Sequence, residues 1–139
     1  MTSPPGSEGG TRRELAADGG AAIVLIDSIT QVVPRDADAV VVTGSHGGVS
    51  SGGYASAVRA RLYVFNDAGI GKGDAGIAAL PLLATMDIAA VAVGHETARI
   101  GEASDTWACG IISASNEPAA SLGAARGLPL REFAERIAR

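Results

Sequence analysis

The stretch RLYVFNDAGIGKGDAG (residues 61–76) joins an apolar run, a polar pair and a glycine-rich loop in direct succession. The run at 62–65 is apolar and β-prone, and it reads as a strand covered on both faces. Asn66 and Asp67 close it. Gly69, Gly71, Gly73 and Gly76 follow, with Lys72, the single lysine of the chain, among them. The pattern recurs upstream, where residues 39–43 (AVVVT) lead into GSHGG at 44–48. Two strand–glycine loop–helix units predict a small-ligand site at one edge of an α/β sheet, because such sheets bind ligands beyond the carboxyl ends of their strands.

Working outward, residues 22–26 (AIVLI), 88–93 (IAAVAV) and 110–114 (GIISA) predict three more strands. A short helix is expected over 11–17, with Thr11 as N-cap and Glu14 three residues on. Residues 28–38 read as one or two helical turns stopped by Pro34. Helices are expected over 53–60, 116–125 and 129–138. Another is expected over 74–86, with Asp74 as N-cap and a kink or an early break at Pro81. Residues 94–106 read as a polar loop. Apolar strands alternating with helices predict one α/β domain over residues 11–139, a flavodoxin-like three-layer sandwich around a mainly parallel five-stranded sheet. Residues 1–10 (MTSPPGSEGG) offer little to bury and predict a disordered tail.

Composition narrows the function. The chain has 139 residues, 47% of them apolar and only 4% aromatic, which argues against an aromatic platform for stacking bases. Eleven Lys+Arg against fifteen Asp+Glu give a net charge of −4 with no basic cluster, so no nucleic-acid partner is expected. The one cysteine, Cys109, excludes an intrachain disulfide, and its place beside Trp107 predicts burial. No apolar run approaches the ~20 residues of a membrane span. A cytoplasmic protein without membrane partner is the expectation, and sites shared between subunits of small α/β proteins favour a homo-oligomer.

If the sheet is parallel, its strand ends gather on one rim. Asp27 and Ser28, Ser45 and His46, Asn66 and Asp67, and His95, Glu96 and Arg99 would meet there, with Ser115 and Asn116 after the fifth strand. In GSHGG, Gly44, Ser45, Gly47 and Gly48 could expose amides to an anion, beside His46 as general acid or base. Asp67 would partner His46 or act as a second base, and Glu96 is a further catalytic candidate. Asn66, Lys72 and Arg99 are expected to bind substrate, Arg99 by clamping a carboxylate. The spacing of the histidines and carboxylates fits no metal motif.

The string GKGDAG is a literal GxGxxG, and Glu96 follows Gly76 by twenty positions, as in a dinucleotide fingerprint. Its first glycine, however, lies five positions past Asn66, and Lys72 intrudes between the first two glycines. No Ser or Thr follows Lys72, so it is not a phosphate-binding Walker loop. A flexible lid over an anionic substrate is the preferred reading. The order strand, Ser45-His46-Gly47, strand resembles caspase-like peptidases. There the next strand ends in a catalytic Cys, whereas here Asp67 stands, so the activity is not carried over.

The residues therefore point to a small cofactor-independent hydrolase, lyase or isomerase acting on a small anionic carboxylate or carbonyl compound. The alternatives are a non-catalytic nucleotide- or metabolite-binding domain and a structural subunit. The tail composition yields a simple test. A variant beginning at Thr11 should melt at the temperature of the full chain, and a fall of several degrees would show that residues 1–10 dock.

Overall fold

Four strands run parallel through the centre of the protein, in the order in which the chain makes them. In a computed structural model describing residues 11–15 and 19–139, β2 (Ile23–Ile26), β3 (Val40–His46), β4 (Leu62–Asn66) and β5 (Ala90–Val93) lie side by side. Ile23 faces Val40, Val40 faces Leu62, and Tyr63 faces Ala90. Every residue of β2, β4 and β5 is buried, which explains their unbroken apolar runs.

Two antiparallel strands close the edges. β1 (Arg12–Leu15) pairs with β2, and β6 (Ile112–Ser115) pairs with β5. The sheet is thus six-stranded and mixed, ordered β1 to β6, rather than five-stranded and mainly parallel. Nor does its order contain the reversal of a flavodoxin-like sheet, 2-1-3-4-5.

This order dictates where the helices lie. Parallel crossovers are right-handed, so crossovers that all step in one direction fall on one face. That face carries α1 (Val49–Ser56) and α2 (Ala79–Ala84), whose Ala55, Ala79 and Leu83 pack on Val24, Val41, Tyr63 and Phe65. The opposite face is free until β5 is made. α3 (Ala103–Cys109) and α5 (Leu130–Ala138) then cover it, with Trp107 and Phe133 packed in the cluster of Leu25, Val42 and Val64. The three-layer α/β sandwich holds.

Several local expectations are corrected. Residues 12–15 form a strand instead of a helix. Arg12 makes a two-pronged bond to the buried Asp36, at 2.6 and 3.1 Å, and this tertiary contact overrides local helix signals. The Thr11 amide bonds the Asp27 carboxylate at 3.0 Å. Between β2 and β3 the chain makes two 3₁₀ turns, Ile29–Gln31 and Pro34–Asp36, so Pro34 opens the second turn.

β3 runs on through Gly44, Ser45 and His46, and helix α1 begins at Val49, four residues before the expected start. Asp74 caps nothing, because Gly73 and Asp74 are left-handed, with φ of 61° and 59°. The helix proper starts at Ala79, so Pro81 falls in its first turn and causes no kink. The expected polar loop at 94–106 contains the start of α3. Asn116 caps the short α4 (Glu117–Ser121) through the Ala119 amide. Cys109 is exposed, and Trp107 takes the buried position. The disordered tail expected at residues 1–10 lies outside the described residues. No helix among the described residues is long and apolar enough to cross a membrane.

Gly44 marks a tight passage near the rim. Its amide donates to the Asp27 carbonyl at 3.2 Å, and its carbonyl accepts from Gly101 at 2.7 Å. A side-chain carbon on Gly44 would fall 2.6 Å from the carbonyl carbon of Gly101. Backbone would meet backbone, so Gly44→Ala should cost about 1–3 kcal/mol in urea unfolding, the usual cost of overpacking. An unchanged midpoint would show that the loop at 94–102 yields freely.

Candidate functional site

The parallel strands deliver Asp67 and His95 side by side, each just past the end of its strand. Asp67 follows β4, is almost fully buried, and accepts from three groups. Its Oδ1 takes the backbone amides of Gly69 at 2.8 Å and His95 at 3.0 Å. Its Oδ2 takes the hydroxyl of Ser113 at 2.7 Å. The His95 ring is close as well, its Nδ1 3.4 Å from Oδ1. Burial disfavours the charged carboxylate. The Ser113 hydroxyl, the two amides and the His95 ring outweigh it, and hold the Asp67 carboxyl below the usual range. His95 itself keeps 54% of its side chain exposed, and its Nδ1 also lies 3.0 Å from Glu96 Oε2.

The loop after Asp67 is strained. Ala68, Gly69, Ile70 and Gly71 are all left-handed, with φ of 51°, 77°, 66° and 73°. Such values suit glycine, and a β-branched residue seldom adopts them. Local hydrogen bonds hold the turn. The Ala68 amide donates to Asn66 Oδ1 at 2.8 Å, the Gly69 amide to Asp67, and the Ile70 amide to the Asp67 carbonyl at 2.6 Å. Gly76 closes it through Ile70 O at 2.7 Å, where any side chain would run into the Asp67 carbonyl oxygen. Backbone strain of this kind gathers at functional sites.

The other expected site residues divide. His46 ends β3 opposite Asn66, with its ring exposed. The partners of the Asp67 carboxylate are Gly69, His95 and Ser113, and His46 is not among them. The GSHGG amides are largely engaged within the fold. Gly44 donates to Asp27 O, Ser45 to the Thr43 hydroxyl at 3.2 Å, and Gly47 to Asn66 O at 3.0 Å. The Ser45 hydroxyl accepts from the Ile29 amide. Gly48 lies under the His46 ring and precedes α1.

Asn66 is buried and joins two loops, donating to Ala98 O at 2.9 Å. Glu96 lies at the rim, 69% exposed. Lys72 and Arg99 are exposed, and Arg99 lies 3.8 Å from Glu102. Ser115 and Asn116 are not at this rim. β6 runs antiparallel, so its end meets the beginning of β5, where Asn116 bonds Ala90, Leu80 and Ile88.

The same reversal brings the start of β6 to the rim. Val93 faces Ile112, and Ser113 thereby reaches Asp67. Sequence patterns do not reveal Ser113, since nothing in GIISA marks strand direction. His95 was accessible as one of two histidines at strand ends, but its pairing with Asp67 depends on β4 and β5 being neighbours. Asp27, a further rim carboxylate, takes the Ala103 amide at 2.8 Å and so fastens the first turn of α3. Gly73 and Asp74 border an open groove of about 530 Å³ that also involves Ile77, Leu80, Pro81 and Ala114, and that neither histidine lines. Among the described residues no group of three or more His, Cys, Asp or Glu side chains could hold a metal ion. No family model, curated protein or solved structure matches the chain.

Two expectations follow. The contribution of Asp67 to stability is fully present above the ordinary carboxylate value of about 3.9, and is lost as pH falls through its lowered native value. In chemical denaturation the stability gap between wild type and Asp67→Asn should be constant above about pH 5 and should close on acidification. A pH-independent gap would contradict the linkage. Ala68→Gly relieves a left-handed alanine, partly offset by greater freedom of the unfolded chain, and should stabilise by up to about 1 kcal/mol. A loss of stability in that variant would mean the loop is unstrained.

Proposed function

We propose that the chain is a small cofactor-independent acid–base enzyme acting on a small carboxylate or carbonyl compound. One observation carries this reading: a half-exposed imidazole, His95, lies 3.4 Å from a buried carboxylate that three hydrogen-bond donors help to keep charged. A neutral imidazole whose Nδ1 proton faces a carboxylate presents the lone pair of Nε2 to solvent. That nitrogen can take a proton from water, for hydrolysis, or from a carbon beside a carbonyl, for a lyase or isomerase step, and can return it later. His46, at the end of the neighbouring strand, is the second proton-transfer candidate, and Glu96 flanks the His95 ring. Lys72 and Arg99 are the cations proposed to hold a substrate carboxylate.

A metabolite-binding role without turnover is the second reading. It is favoured by the internal bonding of the Gly44, Ser45 and Gly47 amides, which leaves that loop poorly suited to stabilise an oxyanion. A homo-oligomer remains part of the proposal, in keeping with exposed Val49 and Tyr54 on α1. So does a cytoplasmic location.

A panel of small oxo acids, hydroxy acids and esters in deuterated water, followed by proton NMR, reports both α-proton exchange and hydrolysis. With a responsive compound, His95→Ala should lower the rate by ~10²–10⁴-fold. Arg99→Ala should raise KM with little change in kcat. Full activity in His95→Ala, or no response across the panel, would turn the reading toward binding.

A further inference from the structure

We propose that Ser113 is a positioning residue, whose hydroxyl fixes the Asp67 carboxylate so that Oδ1 retains the Nδ1 proton of His95. The inference rests on His95 being the acid–base group. It adds a residue from a strand that carries no other part of that reading.

The two oxygens of Asp67 are served unequally. Oδ1 faces the Gly69 amide, the His95 amide and the His95 ring. Oδ2 faces Ser113 Oγ at 2.7 Å. A carboxyl torsion is broad and roughly two-fold, so a carboxylate gripped at one oxygen still pivots. A donor at the second oxygen removes that freedom. The Ser113 hydroxyl has one proton and two acceptors in reach, Asp67 Oδ2 at 2.7 Å and the Ala92 carbonyl at 3.4 Å. The shorter, charge-assisted bond takes the proton.

Position supports the assignment. Ser113 lies next to Ile112, which pairs with Val93 at the end of β5, two residues before His95. The rim carboxylate is therefore held from three segments at once: the loop after β4, the loop after β5, and the start of β6. Two charged groups face the His95 ring, Asp67 and Glu96. Glu96 is the nearer, at 3.0 Å against 3.4 Å, yet it is 69% exposed whereas Asp67 is 6% exposed. An exposed ion pair is screened and costs side-chain freedom, so Glu96 is the weaker anchor. The buried and immobilised carboxylate sets the tautomer.

Nitrogen NMR of the two histidine rings tests this without any substrate, at a pH where the rings are neutral. The full-chain protein is used, and His46→Ala assigns the signals. Wild type should show His95 predominantly as the Nδ1–H tautomer. Ser113→Thr keeps the hydroxyl and should preserve that state. Ser113→Val matches Thr in volume but lacks the hydroxyl. It should leave a mixture with the Nε2–H form, and should raise the midpoint of the Asp67 carboxyl titration. Glu96→Gln should change neither. Three results would overturn the proposal: a predominantly Nε2–H ring in wild type, the same tautomer in the Val and Thr variants, or loss of the Nδ1–H state in Glu96→Gln alone. Turnover is not read, so an absent enzymatic activity would count against the proposed function and not against the role of Ser113.

Discussion

A buried carboxylate that must stay charged organises this rim. Asp67 has left water, which by itself would favour the neutral acid. It remains ionised because donors from three segments converge on it. Hydrogen bonds to a charged group are worth roughly 1.5–3 kcal/mol each, about twice a neutral bond. Holding Ala68 and Ile70 in left-handed backbone costs on the order of 1–3 kcal/mol apiece. The magnitudes are comparable, so a carboxylate with several donors can sustain the strained turn. The same group that shapes the glycine loop also touches His95, and loop geometry and imidazole orientation are thereby tied to one charge.

The sheet order supplies the frame for this convergence. Crossovers that always advance in one direction leave one face to α1 and α2 and the other to the later helices. Without a reversal in strand order there is no crevice between diverging crossovers, the place where a doubly wound sheet commonly binds its ligand. Function is instead proposed at the β4–β5–β6 side, where an antiparallel strand turns its first residues toward the ends of its parallel neighbours. Ser113 is on the rim for that reason, and Asn116 is at the far end for the same reason.

The central strands were legible in the sequence because fully covered strands need unbroken apolar runs, and 22–26, 39–43 and 62–65 have them. The edge strand at Arg12 was not, since its conformation depends on Asp36, twenty-four residues away. The left-handed turn at 68–71 was hidden by alanine and isoleucine at positions that suit glycine. Strand ends announced Asp67, His46 and His95 as rim residues. They could not say which histidine the aspartate would meet, because that choice depends on the geometry of the loops past neighbouring strands. At GSHGG, too, the sequence could not show which amides the fold itself would use. Glycines permit exposed amides, yet here Gly44 and Gly47 serve close backbone approaches to Gly101 and Gly76, and their amides bond Asp27 and Asn66.

The central claim is that one ionised carboxylate holds both the glycine loop and the His95 segment. The most direct measurement is the pH dependence of the Gly69 and His95 amide proton shifts. Both amides donate to Asp67 Oδ1, so both should titrate with a single shared midpoint, below the ordinary aspartate value of about 3.9. Separate midpoints, or a shared midpoint at or above that value, would contradict the account.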